Sequence, residues 1–341
     1  MPSILDHSEY ELSLCVENPE TGELIDIAPS CENITWQTTR LASQPGTLKV
    51  TLKKTITSEK VTIPPGSRIR FGINNKDYFY GLIEEIELSK NGEGRIVYVL
   101  SAVDHLKLLQ GVESAYREIG MTASTFFMYL MTRFGDRGLN GAVLEGSSTP
   151  LDDYYFATTT LYEMIKRSMA LAHIAESPNS QYILRDNLGT IEWRELKSLK
   201  TDYVIGDESF ATSYTYGVSI AEQTYNVIKV IRPNAEIGMM DTWTLYDSEN
   251  IRHWWQRQLV LEADDYATDA EIKKKLELHL EAFNRPRRKM QITAIGINGL
   301  QAGDGLRAIA GRASIDHELW CEEVTHVYTM DSHEMTLVLY L

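Results

Sequence analysis

The stretch Gly66-Ser67-Arg68-Ile69-Arg70 opens a run of β-type sequence that decides the fold. The run continues through Tyr80-Gly81-Leu82-Ile83-Glu84-Glu85-Ile86, turns at Asn91-Gly92 and returns as Arg95-Ile96-Val97-Tyr98-Val99-Leu100. An Asn-Gly pair between alternating runs favours a hairpin, because a type I′ turn requires positive φ at both central residues. The sequence therefore predicts an antiparallel hairpin that follows a strand led by glycine.

A similar run lies near the C-terminus. It opens at Gly303-Asp304-Gly305-Leu306-Arg307, passes through Trp320-Cys321-Glu322-Glu323-Val324, turns near Asp331-Ser332 and returns as Met335-Thr336-Leu337-Val338-Leu339. Both runs combine a glycine-led start, an aromatic residue before a Glu-Glu pair, a polar turn and an apolar strand. This predicts two similar modules in one chain, so that three chains would present six equivalent surfaces. The sequence alone leaves open the alternative that two unrelated hairpins look alike.

Composition describes a folded protein of several domains. The chain has 341 residues, 43% hydrophobic and 24% charged, which suggests two to four domains. Its net charge of −15 argues against a surface that coats nucleic acid, although DNA could pass through an acidic lumen without sticking. Three cysteines without CxxC spacing predict neither a disulfide framework nor a zinc site. The N-terminus lacks a secretory signal pattern, so we expect synthesis in the cytoplasm and no membrane insertion.

The pattern along the chain predicts a mainly β fold with α+β parts. Residues 1–110 read as an antiparallel β-barrel, and residues 111–205 as an α+β domain. A second barrel is expected from 206–240 plus 290–341, interrupted by an inserted segment, 241–289, with one helix. The spacing Thr268-Asp269-Ala270-Glu271 predicts a capping box at the start of that helix.

Catalytic signatures of the nucleotide-binding, serine-hydrolase and zinc-protease classes are missing from the sequence. His326 and His333 flank the last turn and could approach His317, but we expect exposed residues on a strand pair because no Cys or carboxylate falls at ligand spacing. Asp152-Asp153 and Asp264-Asp265 could supply paired carboxylates for glycoside hydrolysis. Neighbouring residues on an extended chain point apart, so solvated loop acids are the favoured interpretation.

Three other clusters have both a functional and a structural interpretation. The basic run Arg285-Pro286-Arg287-Arg288-Lys289 could meet an acidic partner, but it also suits the C-terminal end of a helix. His253-Trp254-Trp255, with Trp243, could bind a sugar or an interface, and we favour core residues of the insertion. The Glu84-Glu85 and Glu322-Glu323 pairs could line an acidic channel with one residue each, because strand neighbours face opposite sides.

The N-terminal third resembles the baseplate hub proteins of contractile phage tails and phage-tail-like bacteriocins. The resemblance lies in Ile34 to Leu52, in Gly66 to Arg70, and in Tyr80-Gly81-Leu82-Ile83 through Asp104-His105-Leu106-Lys107-Leu108-Leu109. It is specific over about the first 110 residues and looser beyond them.

The resemblance implies a homotrimer with two tube-like barrels in each chain. Such a ring would join the sixfold tail tube protein to the threefold central spike protein, beside other baseplate or tape-measure proteins. It implies no catalytic residue, cofactor or metal. The alternative is a tail-associated protein that binds or hydrolyses cell-wall glycan, suggested by Trp243, Trp254 and Trp255 near Asp264 and Asp265.

Overall fold

The N-terminal region folds into seven strands. The computed structural model describes residues 11–40, 44–53, 63–90, 96–176, 180–207, 209–221, 223–234, 238–263, 267–311, 315–329 and 331–340. The strands are β1 (Leu12–Glu17), β2 (Leu24–Asp26), β3 (Cys31–Thr39), β4 (Thr47–Lys53), β5 (Arg68–Ile73), β6 (Lys76–Lys90) and β7 (Ile96–Val103). Alternation puts Leu48, Val50 and Leu52 on the buried face of β4. The Asn91-Gly92 turn lies outside the described residues.

The middle of the chain combines helices and small sheets. Its elements are β8 (Val112–Arg117), α1 (Ala123–Arg133), β9 (Gly141–Val143), β10 (Tyr154–Thr160), α2 (Leu161–Glu176), β11 (Tyr182–Asn187) and β12 (Thr190–Glu195). They share one core in which Phe126, Phe127 and Trp193 are fully buried. Thr122 caps α1, its hydroxyl accepting from the Thr125 N–H at 3.2 Å.

The C-terminal strands form the other half of the main sheet. They are β13 (Lys200–Gly206), β14 (Ala211–Ser219), β18 (Arg287–Ile295), β19 (Gly305–Ala310), β20 (Ile315–Thr329) and β21 (His333–Tyr340). β13 pairs in parallel with β19, so its hydrogen bonds join it to this half of the sheet, although the sequence placed residues 200–205 in the middle domain.

A smaller unit is inserted between β14 and β18. It contains β15 (Val227–Asn234), β16 (Met239–Tyr246), α3 (Ser248–Trp254), β17 (Gln258–Glu262) and α4 (Asp269–Phe283). The sequence placed β15 in the second barrel, but β15 pairs with β16 and β17 and shares a core with Ile272 and Leu276 of α4. The insertion also carries a second helix, α3, that the sequence did not predict.

The two halves of the main sheet have the same strand order. In the first module, the order is β1-β5-β6-β7-β4-β3, and in the second it is β13-β19-β20-β21-β18-β14. Strands correspond in chain order as well as in space. The pairing of the first two strands differs, being antiparallel in the first module and parallel in the second.

Equivalent hydrogen bonds extend this correspondence to single residues. The Gly66 N–H donates to the Ile83 carbonyl at 2.8 Å, and the Gly303 N–H donates to the Cys321 carbonyl at 2.7 Å. Both glycines have positive φ, +90° and +89°. The residue after each of these carbonyls interrupts the strand pairing: the β6–β7 register shifts at Glu84, and the β20–β21 register shifts at Glu322. Each Glu-Glu pair thus begins with a β-bulge.

The two modules join into one open sheet. β20 of the second module pairs with β3 of the first, and the path runs from β14 at one end to β2 at the other. The mainly β prediction is confirmed. Among the described residues, however, the strands form large antiparallel sheets and do not close into separate barrels. The C-terminal half of β20 has β21 of its own module on one side and β3 of the first module on the other.

Candidate assembly site

The joint between the modules is formed by seven opposed residue pairs. They run from Glu323 opposite Thr39 to Thr329 opposite Asn33, and we call these two segments the internal joint. Tyr328 enters the core of the first module, where its ring meets Phe71 edge-on at 5.1 Å. A residue of one module thereby completes the core of the other, which makes the joint part of the folded structure.

A buried histidine pair lies in the internal joint. His326 stacks on Trp36 of the first module with ring centroids 5.1 Å apart. Its Nε2 is 2.7 Å from the Leu300 carbonyl and its Nδ1 is 2.9 Å from His333 Nε2. Because a carbonyl only accepts, Nε2 of His326 carries the proton and Nδ1 accepts from His333. Burial lowers the pKa of His326 to about 4, although the bond to Leu300 opposes this shift.

The prediction of exposed histidines is therefore wrong for His326 and His333, which are both buried. His317 is exposed on β20, as predicted. Sequence reasoning missed the buried pair because the partners of His326, at Trp36 and Leu300, come from distant parts of the chain. Among the described residues, no three His, Cys, Asp or Glu side chains group as metal ligands would.

The Glu322-Glu323 pair borders the joint. Glu322 forms an ion pair with Arg40, and its carbonyl accepts the Arg40 N–H at 2.8 Å. Glu323 Oε1 accepts from Gln37 Nε2 at 2.8 Å. Both carboxylates thus contact residues at the end of β3.

The Glu84-Glu85 pair occupies the equivalent place in the first module but borders an open edge. Glu84 lies 3.7 Å from Lys107, an exposed contact that contributes little energy. From Glu85 to Lys90, every side chain except that of Ile86 is exposed, whereas β20 is covered between Glu322 and Thr329. The two pairs are equivalent in the fold and differ in whether a strand lies beside them.

The predicted aspartate pairs do not form an acid-base site in the described structure. Asp152 and Asp153 are exposed loop residues, as favoured, and Asp153 accepts the Tyr116 hydroxyl at 2.8 Å. Asp264 and Asp265 lie outside the described residues. The structure therefore describes only the first of the two aspartate pairs.

The tryptophan cluster divides between core and surface. Trp243 packs against the core of the insertion, with the Arg232 guanidinium 4.8 Å from its ring. Trp254 ends α3 and is half-buried, and His253 is exposed. Trp255 is 85% exposed with a φ of +61°, so the core interpretation is wrong for this residue.

The basic run is strand and not the end of a helix. α4 ends at Phe283, and Arg287, Arg288 and Lys289 open β18 beside the edge strand β14. The Arg287 guanidinium lies 4.4 Å from the ring of Tyr340, while Arg288 and Lys289 are exposed. These cations lie on β18, one strand in from the open edge of β14.

A broad cleft of about 750 Å³ between α2 and the insertion was not predicted from the sequence. Its walls include Lys166, Arg167 and Lys275 together with Glu163 and Glu262. These opposite charges largely offset one another, so charge alone selects no class of ligand. Among the described residues, no helix is both long and apolar enough to cross a bilayer.

Comparison with solved structures places this fold among tail proteins. The prophage MuSo2 43 kDa tail protein of Shewanella oneidensis is similar with a TM-score of 0.72 at 12% identity, over 96% of this chain and 98% of that one. A tail protein of Neisseria meningitidis MC58 gives a TM-score of 0.71 at 11% identity, over 97% and 96%. The fold class is therefore that of phage tail proteins, and the resemblance to baseplate hubs is confirmed at the level of the fold.

A type VI secretion system component of Escherichia coli has a similar fold. This c3393 protein, described as structurally similar to the T4 tail proteins gp27 and gp5, matches with a TM-score of 0.52 at 11% identity, over 91% of this chain and 73% of that one. No curated protein matches the sequence. A family model described as YQBQ-like matches residues 34–340, and the chain belongs to that family.

Proposed function

We propose that this chain is a structural baseplate hub that works as a homotrimer with pseudo-sixfold symmetry. The observation that carries the proposal is the six-strand order that occurs twice in the chain, with the same glycine contact and the same bulge. Three chains with two modules each make six equivalent positions, which matches a sixfold ring on one side and a threefold object on the other.

The partners are those that the resemblance to baseplate hubs implies. One face of the ring would bind the sixfold tail tube protein and the other the threefold central spike protein, with other baseplate or tape-measure proteins around them. The net charge of −15 suits a lumen through which DNA passes without sticking. The hub would be made in the host cytoplasm and end in the particle, and its role would be mechanical rather than enzymatic.

Electron microscopy of the hub bound to its tail tube protein tests this proposal. We expect a ring of three hub chains under a ring of six tube subunits, a ratio of one to two. A monomer in isolation would leave the proposal standing, because tube or spike can be needed to hold the ring together. Failure to bind tube rings, or a bound ring of another copy number, would contradict it.

A further inference from the structure

We propose that the exposed edge of β6 pairs with the exposed edge of β14 in a second copy of this chain. The outer seam would consist of Glu85–Lys90 from one copy and Tyr214–Ser219 from the next. The inference rests on the proposed hub function, since it names the surface through which the ring would close. Its starting point is the internal joint, which shows how a second module meets a first.

Each half of the internal joint has an equivalent that is unpaired in the described structure. The Glu323–Tyr328 part of β20 corresponds to the Glu85–Lys90 part of β6 when the two bulges are aligned. β3 corresponds to β14. Ile34 of β3 lies opposite Val50 of β4, and the equivalent Tyr214 of β14 lies opposite Ile292 of β18. Among the described residues, no strand borders Glu85–Lys90 on the side away from β7, and β14 pairs with β18 alone.

The equivalence sets a register for the outer seam. Glu323 lies opposite Thr39 and Thr329 opposite Asn33 in the internal joint. Carried over to the equivalent residues, this pairing sets Leu88 opposite Tyr216. In the same register the neighbouring pairs are Glu85 with Ser219, Ile86 with Val218, Glu87 with Gly217, Ser89 with Thr215 and Lys90 with Tyr214.

Exposed apolar side chains lie where this register needs them. Leu88 is 62% exposed and Val218 is 56% exposed, although both are on the core faces of their strands. The residues equivalent to Leu88 and Tyr216 are His326 and Trp36, which are buried against each other. A long exposed edge with apolar side chains is the surface that natural proteins cover with another strand.

The charges on the opposite face are complementary. Glu87 would lie opposite Gly217, and Lys289 of β18 lies on the other side of that glycine. A Cβ added at Gly217 would meet nothing within 4 Å, so the two long side chains can meet above it. Glu85 would face Arg287 across Ser219 in the same way. The basic run therefore gains a partner in an otherwise acidic chain.

The edges that meet are different, so the contact is heterologous. Every copy offers one β6 edge and one β14 edge, and repetition forms a ring if the rotation closes or a filament if it does not. If the outer seam turns by the same angle as the internal joint, the six modules of three chains close the ring when that angle is about 60°.

Cysteine cross-linking tests the register. Oxidation of the variant Ser89→Cys/Thr215→Cys should give about tenfold more linked product than Ser89→Cys/Ser213→Cys, because a disulfide needs Cα atoms about 4.4–6.8 Å apart and a shift of two residues exceeds this. Covalent products should stop at the trimer. Each single-cysteine variant controls for disulfides formed with the native Cys15. Cys15 is half-buried, whereas Cys31 and Cys321 are buried. Equal linking of both pairs, or no linking of the matched pair in chains assembled on tail tube rings, overturns the proposed seam.

A surface substitution gives an independent measurement. Leu88→Lys should abolish association while leaving the thermal unfolding of the monomer unchanged, because Leu88 is exposed in the single chain. Ile119→Lys, at an exposed site away from both edges, should change neither. If Leu88→Lys assembles on tail tube rings as well as the unmodified chain, the seam is overturned.

Mass measurement separates this inference from the hub proposal. A trimer without matched cross-links overturns the seam and leaves the hub role intact. Matched cross-links that extend into long chains support the seam and contradict the trimer. If tube rings bind three chains of the Ser89→Cys/Thr215→Cys variant and oxidation does not link them, the seam is overturned and the hub proposal is not.

Discussion

Two glycines with the same backbone conformation have different surroundings, and this separates strain from crowding. Gly66 and Gly303 both have positive φ at equivalent positions. A Cβ at Gly66 would meet nothing within 4 Å, whereas one at Gly303 would collide with Ile183 of the middle domain. The same conformation thus serves a solvent-facing turn in one module and a contact between domains in the other.

We expect Gly66→Ala to lower the free energy of unfolding by about 1–2 kcal/mol through backbone strain alone. Gly303→Ala should lower the free energy of unfolding by about 1–3 kcal/mol more than Gly66→Ala does, because the Ile183 side chain must move. Chemical denaturation of both variants measures the difference. Equal losses would mean that the middle domain yields at Ile183 without cost.

His326 should make the internal joint sensitive to acid. The folded-state pKa of about 4 is below that of a free histidine, so the unfolded chain takes up a proton first as the pH falls. The stabilisation is complete above about pH 6.5 and is lost as the pH drops toward 4, by roughly 3 kcal/mol in all.

The matched variant is His326→Gln, which keeps a donor for the Leu300 carbonyl but does not titrate. Its free energy of unfolding should be lower at neutral pH and should fall less steeply between pH 6.5 and 4 than that of the unmodified chain. Denaturation at several pH values measures both slopes. Parallel slopes would show that other groups, such as His279, whose pKa burial also lowers, cause the acid sensitivity.

At the scale of elements, helix α4 begins with the capping box that the sequence predicted. The Thr268 hydroxyl accepts the Glu271 N–H at 3.3 Å, and Glu271 Oε2 accepts the Thr268 N–H at 2.7 Å. The helix then buries Ile272 and Leu276 against the sheet of the insertion. The cap and the apolar stripe thus define the same helix start.

Thr268→Ala should destabilise the insertion by about 1 kcal/mol, because it removes the acceptor for an N–H of the first turn. Hydrogen exchange of the α4 amides measures this locally. Thr268→Ser keeps the hydroxyl and should stay within a few tenths of a kcal/mol of the unmodified chain. Equal exchange in all three proteins would show that packing alone holds the helix.

At the scale of the whole molecule, the insertion begins and ends at one place. Ser219 at the end of β14 lies opposite Arg287 at the start of β18, so the chain leaves and re-enters the sheet between neighbouring strands. In the first module, the equivalent strands β3 and β4 are joined by the short segment 40–46. A short turn can therefore replace the insertion without a change in strand order.

We expect a variant with residues 221–285 replaced by a short Gly-Ser turn to keep the main sheet and unfold cooperatively. A variant that lacks only 241–286 should aggregate, because it removes β16 and β17 and exposes the apolar strand β15. Circular dichroism and thermal unfolding distinguish the two. If the first variant aggregates and the second folds, β15 belongs to the second module, where the sequence placed it.

The sequence by itself determined the local elements and the repeat. Period-two alternation, glycine-led strands and the Thr268 cap follow from interactions within a few residues, so they are readable without a fold. The matching glycines Gly66 and Gly303 identified equivalent positions correctly. The aromatic residues did not: Tyr80 and Trp320 are four and two residues before their bulges, and they occupy different places.

Only the tertiary structure decided what lies beside each strand. The pairing of β20 with β3, the burial of His326 and His333, and the place of β15 all depend on residues far apart in the chain. An alternating strand carries the same pattern whether its edge is covered or exposed, because side-chain periodicity reports faces and not neighbours. The hydrogen bonds along the edges therefore distinguish the covered β20 from the exposed β6, a difference that their sequences do not contain.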